Sequence, residues 1–126
     1  MARRAQENAS TVGFDWPDAS EAFCKVEEEG DEVKKLLNRS AHRAGVETGE
    51  DRADIELEIG DLLFSVVNVA RLLHLDPEAA LKKSTRKFIS RFQKMERLLE
   101  AEGLVLEDQT LEFLDRYWEK AKADGV

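Results

Sequence analysis

The stretch DIELEIGDLLFSVVNVARLL, residues 54–73, constrains this chain more than any other. Its apolar residues, from Ile55 to Leu73, would cover most of the circumference of a helix, yet Glu58 and Asp61 sit among them. At about 100° per residue, Asp54, Glu58, Asp61, Ser65 and Asn68 fall on one side, because their spacings alternate four and three. The segment is therefore an apolar rod with one polar stripe. Two arrangements are open. The stripe faces solvent, or it turns inward, where something cationic must neutralise Glu58 and Asp61.

The rest of the chain also reads as helix. Only two prolines and seven glycines interrupt its 126 residues. Residues 1–17 lack periodicity and read as an N-terminal arm, with Phe14 and Trp16 as anchors. Asp18 and Glu21 have capping-box spacing, which starts a first long helix ending near residue 40. Phe23, Val26, Val33 and Leu37 mark its core stripe. Residues 41–52, polar with two glycines, read as a flexible loop. A second helix covers about 51–74, with His74 capping its last carbonyls. Asp76 and Pro77 open a third helix, and Gly103 stops it. Its seam is Leu81, Phe88, Phe92, Met95 and Leu99. A fourth helix, about 109–123, carries Leu111, Leu114 and Trp118. The expected fold is all-α, an antiparallel bundle of about four main helices in a single domain spanning 1–126.

A second group of acids meets the first. The segment KVEEEGDEV places Glu29 and Glu32 at the same i, i+3 spacing as Glu58 and Asp61. If the first two helices pack antiparallel, these four carboxylates can converge. They would repel one another and raise their pKa values unless a divalent cation lies between them. All-oxygen ligation selects Mg²⁺, Mn²⁺ or Ca²⁺ over zinc. The third helix supplies the opposite sign: Lys87 and Arg91 lie one turn apart beside the Phe88/Phe92 seam, where they can meet phosphate. An oxyanion site next to a divalent-metal site describes a pocket for a nucleotide polyphosphate.

Composition narrows the alternatives. The net charge of -8 argues against a nucleic-acid binder. The single Cys24 excludes an intramolecular disulfide and a cysteine zinc cage. The basic start MARRAQENASTVG has no apolar run behind it, and charges interrupt residues 54–73, so neither a signal peptide nor a membrane span is expected. A cytoplasmic location follows as the expectation.

These residues carry a family resemblance. The chain resembles the MazG-type all-α nucleoside triphosphate pyrophosphohydrolases, whose signature is EExxE, a spacer, then ExxD. Here it reads Glu28-Glu29-Gly-Asp-Glu32 and Glu58-Ile-Gly-Asp61. VGFDWPD, DPEAAL and RKFISRFQKME extend the likeness along the chain, which is similar to the C-terminal half of a two-domain member. The resemblance implies Mg²⁺-dependent hydrolysis of nucleoside triphosphates to monophosphate and pyrophosphate, a house-cleaning activity. It implies Glu29, Glu32, Glu58 and Asp61 as metal ligands, with Mn²⁺ as a possible substitute for Mg²⁺. Glu28, Glu29 and Glu32 become the candidates for the proton-accepting carboxylate. Lys25, Lys87 and Arg91 would meet the phosphates, and Trp118 would approach the nucleotide.

Three departures stand out. The sequence given holds no counterpart of the first half of a two-domain member, which leaves a stand-alone version and a fragment both open; the spacer between the motifs is long, and Gly30 occupies a position where a larger apolar residue is usual. Two other readings remain: a hydrolase of the same fold with a narrower substrate, such as a deoxyuridine nucleotide or phosphoribosyl-ATP, and a non-catalytic, metal-stabilised helical interaction module. A lone protomer would struggle to cover the second helix, so a homodimer or higher homo-oligomer is expected.

Overall fold

The computed structural model describes residues 1–42 and 49–125. Five α-helices follow one another: α1 (Ala2–Ser10), α2 (Ala19–His42), α3 (Gly49–Leu72), α4 (Pro77–Ala101) and α5 (Leu111–Ala123), with a 3-10 turn at Leu106–Asp108. No strand occurs among the described residues, and the fold is all-α. None of their helices is long and apolar enough to cross a membrane. The four expected long helices are present. The arm differs, because α1 occupies much of it. The flanks of the expected 41–52 loop are helical, and residues 43–48 lie outside the described residues.

Local chemistry accounts for the boundaries. The Asp18 carboxylate accepts from the Glu21 backbone N–H at 2.8 Å, as the capping spacing predicts. Thr110 opens α5 in the same way, accepting from Phe113 N–H. The α4 stop is a Schellman motif: Gly103, at φ +71°, and Leu104 donate to the carbonyls of Glu100 and Leu99, each at 3.0 Å. The end of α3 uses the same motif with His74 at φ +58°. There the backbone N–H of His74 donates to Arg71 O, and that of Leu75 to Ala70 O, both at 2.9 Å. The expected carbonyl cap thus comes from the His74 backbone.

The helices gather in two compact units, Met1–Pro77 and Glu78–Val126. In the first, α2 and α3 are antiparallel, for their contacts run in opposite order: Arg39 meets Asp51 and Asp54, while Glu29 meets Glu58. Ala22, Glu29 and Val33 are buried on α2, with Val26 and Leu36 half-buried between and beyond them. The packing stripe is therefore rotated from the expected one. Phe23 and Leu37 are about half exposed instead of central. On α3 most of the polar side turns in, although Asp61 stays exposed at its edge. Asp51 and Ser65 are buried, Glu58 and Asn68 are half-buried, and Leu57 and Leu63 stand in the open. Gly30 lies on α2 with only open space where a Cβ would project. Gly30→Ala should accordingly raise stability by up to about 1 kcal/mol through helix propensity. A lower midpoint in urea would contradict that.

The arm is tied down by polar contacts. Gln6 Nε2 donates to Phe64 O at 2.9 Å, and Arg71 Nη1 donates to Asp15 at 3.2 Å, with a second short bond through Nη2. Asn68 Oδ1 accepts from Arg71 Nε and Nη2 and so orients the guanidinium. Phe14 is exposed and does not anchor the arm, while Trp16 is partly exposed. The Arg71 hydrogen bonds hold the Asp15 carboxyl below its usual range, against an opposing effect of burial. Its stabilisation is thus present above the ordinary carboxylate pKa and is lost as pH falls through the lowered folded value. Hydrogen exchange should show α1 amide protection fading below about pH 4. Arg71→Met should produce that loss at neutral pH, and unchanged α1 protection in this variant would break the assignment.

In the second unit α4 and α5 form an antiparallel hairpin. Lys94 pairs with Asp124, and Tyr117 donates to Glu102 on the turn after α4. Met95, Leu99 and Tyr117 make its buried cluster, with Phe92, Leu104 and Trp118 against it. The α4 seam is buried only toward its end, since Leu81 and Phe88 are exposed. On α5, Tyr117 and Ala121 are buried, whereas Leu111 is exposed.

Candidate metal and phosphate site

The rotation of α2 brings Glu29 onto its packing face, 8% exposed, opposite the inward stripe of α3. Carboxylate oxygens of Glu29, Glu58 and Asp61 all lie within 4.8 Å of one another. Burial raises the Glu58 pKa, and the negative charges of Glu29 and Asp61 add to it, with a smaller effect from Glu32. Lys25 Nζ lies 2.9 Å from Glu29 and 3.3 Å from Glu28, and these two acids raise its pKa. One lysine thus touches a group of three carboxylates.

The far end of the same helix pair provides a contrast. Arg39 lies 3.6 Å from both Asp51 and Asp54, so there a guanidinium meets the acids. No ion pair to Glu58 or Asp61 forms among the described residues. An oxygen-only group with surplus negative charge suits a hard divalent cation, and these three residues could hold a metal ion. The fourth expected ligand, Glu32, is one turn further on and pairs with Lys35 at 3.2 Å.

A cavity of about 280 Å³ opens beside the cluster, lined in part by Lys25, Glu29, Asp61, Ser65 and Asn68. Ser65 is buried with its hydroxyl on Leu62 O at 2.7 Å, so it spends its donor inside α3. Of the other expected contacts, Lys87 and Arg91 lie on α4 and Trp118 on α5, in the second unit. Trp118 packs on Phe88 with ring centroids 5.2 Å apart. Sequence reasoning missed the arm's contribution: Gln6 and Asp15 bind Phe64 and Arg71, and no local pattern in residues 1–17 announces those partners.

Fold and site together define an all-helical protein in which two antiparallel helices gather carboxylates able to hold a cation. The chain belongs to the MazG nucleotide pyrophosphohydrolase family, whose domain profile matches residues 13–95. It is 53% identical over 122 residues to the nucleoside triphosphate pyrophosphohydrolase/pyrophosphatase MazG of Thermotoga maritima, covering 97% of this chain and 43% of that protein. It is 40% identical over 125 residues to a nucleoside triphosphate pyrophosphohydrolase of Escherichia coli K12, covering 99% of this chain and 44% of the relative. The chain therefore spans less than half the length of these curated relatives.

Proposed function

We propose that this protein hydrolyses nucleoside triphosphates to nucleoside monophosphate and pyrophosphate with Mg²⁺, or Mn²⁺ in its place, and that residues 1–126 act as one MazG-like domain. The observation that carries the reading is the convergence of Glu29, Glu58 and Asp61 beside Lys25, inside the span that the family profile matches. Glu32 completes the ligand set. When bound, the metal offsets the charge of the carboxylates and phosphates and acidifies a water molecule.

The chain's own residues do the rest. A triphosphate approaching a protein of net charge -8 needs local cations, which Lys25, Lys87 and Arg91 supply to its phosphates. Trp118 borders the nucleotide. A carboxylate among Glu28, Glu29 and Glu32 accepts the proton of the attacking water. The water oxygen bonds to phosphorus at the α–β anhydride, the bond to the bridging oxygen breaks, and pyrophosphate separates from the monophosphate. Glu28 is exposed and hydrogen-bonded to Lys25, a position from which it can hold that lysine or take the proton. The role is house-cleaning of the nucleotide pool in the cytoplasm. The exposed Leu57 and Leu63 on α3 support a homodimer or higher oligomer.

Product analysis tests the reaction. Each of the common NTPs and dNTPs, incubated with and without Mg²⁺, should give metal-dependent pyrophosphate and the matching monophosphate. Orthophosphate and diphosphate would overturn the assignment. Thermal melts test the ion separately. Mg²⁺ at a hundred times its Kd should stabilise the fold by about 2.7 kcal/mol. Metal-free protein should gain stability on mild acidification as Glu58, its pKa raised, takes up a proton. The Mg²⁺ stabilisation should shrink over that same interval, because ligation needs the carboxylate. A melting temperature indifferent to Mg²⁺ would exclude the site.

A further inference from the structure

Among the described residues two carboxylates are buried, Glu29 on α2 and Asp51 on α3. Each has a cation, but the cations differ in what they join. Lys25 meets Glu29 from one turn away on the same helix, so that pair ties nothing to α3. Arg39 reaches across. Its Nη2 lies 3.6 Å from Asp51 of α3 and 3.6 Å from Asp54, one turn further on. We propose that Arg39, Asp51 and Asp54 form a register lock, which fixes the face that α3 turns to α2 and so places Glu58 and Asp61 opposite Glu29. Arg39 is then a positioning residue for the metal site, and this role rests on the metal reading above.

The composition of α3 calls for such a device. Its apolar residues cover most of its circumference, and Leu57, Leu63 and Phe64 are among those that stay exposed. A rotation of α3 by one residue, about 100°, would bury other apolar side chains almost as well and carry Glu58 and Asp61 away from Glu29. Buried charge discriminates more sharply, because a carboxylate taken from water without its partner costs far more than a misplaced methyl group. Asp51 has that property, with 6% of its side chain exposed, and Arg39 reaches it from the edge at 45%. Buried polar groups and ion pairs serve registry in this way where apolar packing alone leaves alternatives.

Spacing connects the lock to the site. Ten residues separate Glu29 from Arg39 on α2, and ten separate Asp51 from Asp61 on α3, both within unbroken helix. Each stretch is about 15 Å long at the rise of an α-helix. Because the helices run antiparallel, seating Arg39 on Asp51 brings Glu29 level with the Glu58–Asp61 turn. The two ends have opposite electrostatics. Glu29, Glu58 and Asp61, with oxygens within 4.8 Å of one another, push the helices apart, whereas the guanidinium draws them together. The chain's own cation thus opposes the repulsion at the site.

Calorimetric titration with Mg²⁺ and urea denaturation, run on the same preparations, test the lock. Arg39→Met leaves Asp51 buried without the guanidinium and should lower both the urea midpoint and the Mg²⁺ affinity. The decisive variant is Arg39→Met/Asp51→Leu, which replaces the pair by apolar groups. Its helicity and urea midpoint should return to wild-type values or above, while Mg²⁺ binds about tenfold more weakly. A double variant that regains the Mg²⁺ affinity together with the midpoint would show that the pair serves stability alone, and would overturn the lock. Wild-type Mg²⁺ affinity in Arg39→Met would do the same, and either result leaves the metal reading intact. Wild-type protein that binds no Mg²⁺ would overturn that reading and the positioning role with it.

Discussion

Asp61→Asn should reduce nucleotide turnover by a factor of about a hundred or more while leaving helicity unchanged. Loss of groups that merely orient metal ligands costs about 10–100-fold, and a proposed ligand should cost no less. The substitution keeps the side chain's size and removes one charge from a group whose three carboxylates lie within 4.8 Å of one another. Its effect on folding has the opposite sign. Asp61 contributes to the field that raises the Glu58 pKa, so metal-free Asp61→Asn should melt no lower than wild type. The Mg²⁺-dependent rise in melting temperature should disappear. Circular dichroism, melts with and without Mg²⁺, and turnover measured on one preparation separate these effects. Wild-type turnover in Asp61→Asn would remove Asp61 from the metal site. A loss of helicity would mean that the carboxylate serves the fold instead.

Leu99→Ala should carry the largest stability cost, about 3–5 kcal/mol. Leu99 is 1% exposed and is the largest fully buried side chain in the molecule's described part. It touches two structural tasks at once. Its side chain joins Met95 and Tyr117 in the cluster that holds α4 to α5, and its carbonyl accepts the Leu104 N–H that closes the Schellman motif. The substitution removes the first and leaves the second. Urea denaturation followed by circular dichroism should register the loss, whereas Leu111→Ala, on an exposed α5 position, should stay within about 0.5 kcal/mol of wild type. Similar midpoints for the two variants would refute the placement of the core.

The limits of periodicity show in α2 and α3. Capping groups and turn residues act locally, so Asp18, Pro77, Gly103 and the 3.6-residue repeat sufficed to place four long helices within a few residues of where they lie. The acidic pairs Glu29/Glu32 and Glu58/Asp61 were legible for the same reason: spacing along a helix determines which residues share a face. Which face turns inward is a different question. On α2 the stripe of Phe23, Val26, Val33 and Leu37 looked like the core; Val33 is buried and Val26 half-buried, yet Ala22 and Glu29 are buried beside them, and Phe23 and Leu37 are half exposed.

On α3 the most apolar residues include Leu57 and Leu63, and these remain exposed while Ser65 and Asp51 are buried. A hydrophobicity pattern ranks faces by apolar content, and α3 is apolar on nearly all of them, so the ranking carries little information there. The arm was illegible for a related reason. Its attachments join residues 58 and 56 positions apart, Gln6 with Phe64 and Asp15 with Arg71, and neither partner changes the local pattern around the other.

The sequence alone therefore determined the four long helices, their approximate ends, the family and the set of carboxylates available for a metal, but not the short helix α1 in the arm. Only the tertiary structure decided that the polar stripe of α3 faces α2, that three of those carboxylates meet, and that the arm walls a cavity beside them. The physical reason is range. Backbone hydrogen bonding and capping act within a few residues, whereas the meeting of Glu29 with Glu58 depends on how two helices rotate against each other, which packing over their whole length decides.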